Sequence, residues 1–160
     1  MPALHLAFER EIGLSPAIVW DALVDQELVS GWLAQARIDP VEGGRFDLAW
    51  MYSTDQPPTS GTIAEFRQPR LLAVDTDNRG RIEFRLDEIA GGSRGVSTRL
   101  GLAVVLELDA AFAPRVKANW MISLDQLEEL LRGHPVDWAN WDRDHIGVWM
   151  EYRDRFTSRA

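Results

Sequence analysis

Leu4, Leu6 and Phe8 alternate with small or polar residues and lead into Glu9-Arg10-Glu11-Ile12, the period-two pattern of a strand with one buried face. Ser15-Pro16 then predicts a helix start, because the N–H that proline lacks would have no partner in a first turn. Val19, Trp20, Leu23 and Val24 follow at helical spacing. Asp25 is placed to cap a second short helix carrying Leu28, Val29, Trp32 and Leu33, so two helices bent at Asp25 are expected. A short strand at 36–39 and a Pro40–Gly44 turn come next. Phe46, Leu48, Trp50 and Tyr52 then alternate as one inward face. Ser53–Ser60 reads as a loop, and Gly61–Phe66, Leu71–Thr76, Arg81–Ile89 and Val96–Leu106 read as four further strands. The turns between them, at Gln68-Pro69-Arg70, Asp77–Gly80 and Gly91–Gly95, are too short for parallel crossovers, so the pairing should be an antiparallel meander.

Beyond the strands, a long helix is predicted over 113–132. Val116, Trp120, Leu124, Leu127 and Leu131 make one apolar stripe along it, and Gly133 is placed to end it. Residues 134–140 read as a linker and 142–156 as a final helix. Trp141, His145, Trp149, Tyr152 and Phe156 repeat the helical spacing there. The order of elements predicts an α+β fold with an antiparallel sheet.

Four segments carry a family resemblance. They are Arg10–Trp20 (REIGLSPAIVW), Asp39–Phe46 (DPVEGGRF), Gly61–Phe66 with Pro69-Arg70 and Leu72, and the combination of Arg81–Leu86, the Gly91-Gly92 turn, Thr98-Arg99-Leu100 and the Trp120…Leu131 helix. In this order, residues 6–133 resemble the SRPBCC (START-like) superfamily, in the branch similar to the C-terminal domain of the activator of the Hsp90 chaperone ATPase. The resemblance implies a helix-grip fold. In it a curved antiparallel sheet wraps around the long helix, with two short helices after the first strand, and often leaves a cavity between sheet and helix. Residues 1–133 would form that domain, and 134–160 a linker and helix extension.

Composition narrows the function. The chain has 160 residues, 17 basic against 25 acidic side chains and no cysteine. That length supports one core, with roughly 70% of the unfolded surface buried. The net charge of −8 would repel phosphate backbones, which argues against nucleic acid. No apolar run is long enough to span a bilayer, and no basic-then-apolar leader is visible, so a cytoplasmic protein without membrane insertion is expected. His5, His134 and His145 lie in separate segments, and no metal or cofactor is expected.

Register decides the candidate chemistry. With Phe46, Leu48 and Trp50, with Ile82, Phe84 and Leu86, and with Leu100, Leu102 and Val104 inward, the neighbouring charged residues point out. Three central strands thus offer no acid or base to the interior, which leans against catalysis. A cavity bounded by Trp50, Phe84, Leu102, Trp120 and Leu124 is expected, with plain core as the alternative reading. Tyr52 and Asn119 could give a ligand a hydroxyl and an amide, or serve as satisfied core groups. Arg10 shares the parity of Leu6 and Phe8 and could sit on the cavity rim, or make a structural ion pair with an acidic neighbour such as Asp39 or Glu65.

The leading expectation is non-catalytic binding of a lipid or aromatic molecule, in a sensing or stress role. The resemblance also offers a polyketide cyclase/aromatase-like enzyme, or a chaperone-associated interaction module. The chaperone activator uses a separate N-terminal domain that this sequence does not show. The aromatic stripe Trp141, Trp149, Tyr152 and Phe156 lies outside the resemblance and must be buried somewhere. A homodimer through it is expected, with docking on its own domain as the alternative.

Overall fold

The computed structural model describes residues 3–52, 55–92 and 95–157. Among the described residues, seven strands and four α-helices follow in the order β1 (Ala3–Ile12), α1 (Pro16–Val24), α2 (Gln26–Val29), β2 (Gln35–Ile38), β3 (Phe46–Ala49), β4 (Gly61–Arg67), β5 (Leu71–Thr76), β6 (Arg81–Ala90), β7 (Val96–Glu107), α3 (Ala113–Leu131) and α4 (Trp141–Thr157). Strands β4 to β7 form the expected meander, and β1 closes onto β7, giving a five-stranded antiparallel sheet ordered β1-β7-β6-β5-β4. β2 and β3 pair separately and are tied to the main sheet through Arg45–Thr62 and Leu48–Thr59 bridges. The sheet curves around α3 in the helix-grip arrangement.

Register places the apolar residues in rows across the sheet. Phe8 faces Leu102, Leu102 faces Phe84, and Phe84 faces Leu72, all on the side toward α3. The opposite face carries Arg81 within ion-pair distance of Glu65 and Asp75. The bend at Asp25 is present, and its carboxylate accepts from the N–H groups of Glu27 and Leu28 to start α2. At Gly44 the chain passes so close to Asp39 that an added Cβ would lie 2.1 Å from its carbonyl oxygen, which explains the glycine in that turn.

Two expectations change. The alternation of Phe46 to Tyr52 does not continue as strand to Tyr52. β2 supplies only four partners, so the ladder ends at Ala49, and Trp50 and Tyr52 stand beyond it. The space around Phe84, Leu102 and Leu124 is also closed. Trp32 sits edge-on to Phe84, with ring centroids 6.4 Å apart, and its indole N–H donates to the carbonyl of Ala22 at 2.7 Å. That bulk closes over Phe84, and all three residues lie in the buried core. Ser53, Thr54, Ser93 and Arg94, which belong to two of the expected loops, lie outside the described residues.

α3 is buried on two faces. Trp120, Leu124 and Leu127 meet the core. Asn119, Ile122 and Gln126, three and four residues apart, make a second stripe, whose two amides meet α4. Because α4 lies along α3, Trp141 is buried within its own chain, and Trp149, Tyr152 and Phe156 are partly covered there. No helix among the described residues is long and apolar enough to cross a membrane.

Candidate functional site

The helix-to-helix contact is built on amides. Trp141 and Trp149, about two turns apart on α4, donate their indole N–H groups to Gln126 and Asn119, two turns apart on α3, at 2.8 and 2.7 Å. The pairing runs in opposite directions, so the helices are antiparallel. Gln126 is 3% exposed and spends its other end on the carbonyl of Trp32 at 2.7 Å. Trp138, in the turn before α4, donates to the carbonyl of Ser30 at 2.8 Å. The extension is therefore fastened both to α3 and to the segment that follows α2.

Above this contact lies a cavity of about 230 Å³. Its walls come from Trp50, Tyr52, Gln56 and Pro57, the Asn78-Arg79 turn, the end of β7 at Leu106–Leu108, and Val116, Asn119, Trp120 and Ser123 of α3. Leu33, Ile122, Gln126, Trp138 and Trp141 complete the lining. Apolar cavities of roughly 150 Å³ hold a benzene-sized guest, so this one has room for a somewhat larger molecule.

The aromatic walls form a connected series. Trp50 and Tyr52 meet edge-to-face at 5.9 Å, and Tyr52 meets Trp141 at 5.6 Å. The Trp50 indole donates to the Thr59 hydroxyl at 2.9 Å, and that hydroxyl donates to Asn78 at 2.6 Å. Arg79 lies 4.1 Å above the Trp50 ring and donates to the Tyr52 hydroxyl at 3.3 Å and to Gln56 at 3.0 Å. The lining carries two charges, Arg79 and the exposed Glu107.

The expected site residues are thus divided. Trp50, Tyr52, Asn119 and Trp120 line the cavity, whereas Phe84, Leu102 and Leu124 lie in the packed core and do not. Arg10 is not on the rim. Its Nη1 lies 2.7 Å from both Asp125 and Glu128, so it clasps β1 to α3, and neither Asp39 nor Glu65 is its partner. Burial would weaken its hold on its proton, but the two carboxylates outweigh that and raise its pKa. Tyr152 donates its hydroxyl to the same Asp125. Burial, and then that carboxylate, push its pKa above the ordinary value.

Sequence reasoning did not reach Gln126, Arg79, Gln56, Trp138 or Trp141 as site residues. Arg79 sits in what reads as a plain turn, and the two tryptophans sit outside the resemblance. A usable signal was present for Gln126, a polar residue in line with Asn119 and Ile122 on the second helix stripe.

Known structures share this fold. CalU16 from Micromonospora echinospora superposes with a TM-score of 0.70 at 21% identity, covering 98% of this chain and 88% of its own. NE0264 from Nitrosomonas europaea gives a TM-score of 0.67 at 21% identity, covering 81% of this chain and 95% of its own. DynU16, a protein of the dynemicin biosynthetic locus, gives 0.62 at 14% identity, over 82% of this chain and 48% of its own. The likeness to CalU16 covers too much of the chain to leave out the C-terminal extension. No curated protein matches in sequence. The family model described as "Activator of Hsp90 ATPase homolog 1-like protein" matches residues 14–132, well over half of the chain, and the chain belongs to that family.

Proposed function

We propose that the protein binds an apolar or aromatic small molecule, without transforming it, in the cavity between α3, the strand ends and the C-terminal extension. The observation that carries this reading is the continuous aromatic wall of Trp50, Tyr52 and Trp141 around an unfilled volume of about 230 Å³. Ligand pockets are concave and mostly apolar, with a few polar groups held in place, and this lining has that composition. Three polar groups on the walls are engaged with the protein itself. Gln126 bridges Trp32 and Trp141, Asn119 accepts from Trp149, and the Tyr52 hydroxyl accepts from Arg79. Groups held this way shape a wall. A cyclase/aromatase-like reaction would need a proton donor or acceptor free to meet the substrate.

Residues 134–160 act in this reading as an extension that completes the cavity of the 1–133 domain. In this reading a homodimer through Trp141, Trp149, Tyr152 and Phe156 has less motive, because these side chains meet Gln126, Asn119, Asp125 and Lys117 of the same chain. A sensing or stress role, as the family resemblance implies, would follow from the binding.

The test is titration with the neutral fluorescent probe N-phenylnaphthylamine. Saturable binding at one molecule per chain is expected, lost in Val116→Trp, which fills the cavity, while that variant melts no lower than wild type. Absence of saturable binding, or binding unaffected by Val116→Trp, would refute the reading.

A further inference from the structure

Four arginines among the described residues are neither buried nor fully exposed: Arg10, Arg79, Arg81 and Arg153. Arg10, Arg81 and Arg153 each lie within ion-pair distance of a carboxylate, at 2.7, 3.0 and 3.0 Å. Arg79 has no such partner among the described residues. Its contacts are the face of Trp50 and two neutral oxygens, both reached through Nη2. A guanidinium has five N–H donors, so the Nε–H and both N–H groups of Nη1 are left over.

The side chain is nevertheless held firmly. The Thr76 hydroxyl accepts from the Arg79 backbone N–H at 2.9 Å and donates to the Gly80 carbonyl at 2.6 Å, which locks the turn. Gly80 has φ +75°, and an added Cβ there would lie 2.1 Å from the carbonyl oxygen of Val105, so the turn has one geometry. A charge half removed from water and lacking a counter-ion is unfavourable, and a pre-positioned guanidinium loses little freedom on meeting a carboxylate.

An aromatic cavity is also the usual receptor for an organic cation. Here that position over Trp50 is occupied by Arg79, so a cationic guest would meet a fixed positive charge.

We propose that the ligand is a planar aromatic carboxylate, its ring against the tryptophan walls and its carboxylate paired with Arg79. This deepens the small-molecule reading and rests on it.

Three probes of one shape test the idea by calorimetry: naphthoate, neutral naphthamide and the cationic naphthylmethylammonium. A charge-assisted hydrogen bond favours the anion, so naphthoate should bind about tenfold or more tighter than naphthamide. Arg79→Gln should remove most of that preference, read as the ratio of naphthoate to naphthamide affinity within the variant. Arg115→Gln, in the outer groove beside the cavity, should leave the preference intact. In wild type, added salt should weaken naphthoate binding more than naphthamide binding, a readout that does not depend on the variant folding. Equal affinity for the two, tighter binding of the cation, a preference that survives Arg79→Gln, or salt weakening naphthoate no more than naphthamide would overturn the carboxylate assignment and leave the cavity reading standing. Failure of all three probes to bind would overturn both.

Discussion

Trp141 donates its indole N–H to Gln126 at 2.8 Å, while the other end of the same amide donates to the Trp32 carbonyl at 2.7 Å. One buried side chain thus joins the C-terminal helix, the long helix and the segment behind α2. Gln126→Leu keeps the approximate size but strands an N–H and a carbonyl away from water. Leaving a buried polar group unpaired costs about 1–3 kcal/mol. A lowered Tm and faster amide exchange in α4 are the expected results. Unchanged exchange in α4 would show that the extension does not depend on this amide.

Trp120 is 5% exposed and touches both the core and the cavity floor. Trp120→Ala should destabilise the fold by about 3–5 kcal/mol, as deletion of a buried large aromatic does. Urea unfolding measures it. A loss below about 1 kcal/mol would mean that neighbouring side chains collapse into the space.

Alkaline stability should depend on Tyr152. Its pKa is raised in the folded protein by burial and by Asp125. A group raised in this way contributes fully below its unfolded value, about 10, and the contribution is lost as pH rises through the higher folded value. Wild type should therefore lose Tm more steeply than Tyr152→Phe over about pH 9 to pH 11. Parallel curves for the two proteins would refute the coupling.

Deleting residues 137–160 removes two walls of the cavity, Trp138 and Trp141, and uncovers Asn119 and Gln126. Light scattering should find the full-length chain monomeric at micromolar concentration. The truncated chain should bind N-phenylnaphthylamine more weakly. A full-length dimer that becomes a monomer on truncation would restore the partner-burial alternative.

The elements and their register were legible in the sequence because they follow from local periodicity. Period-two runs such as Ile82, Phe84 and Leu86, short turns such as Asp77–Gly80, and the Trp120 to Leu131 stripe leave few ways to bury their apolar faces. The site was only half legible. Trp50, Tyr52, Asn119 and Trp120 could be named because they lie on those faces. Phe84, Leu102 and Leu124 lie on the same faces, yet they are packed into the core, where Trp32, distant in sequence, closes over Phe84. Arg10 shares their parity as well, but its partners lie 115 and 118 residues away on α3. Periodicity tells which way a side chain points. Only tertiary packing decides what arrives opposite it, and here the C-terminal helix, placed by two indole-to-amide bonds, closed one wall and left a cavity with Arg79 at its edge.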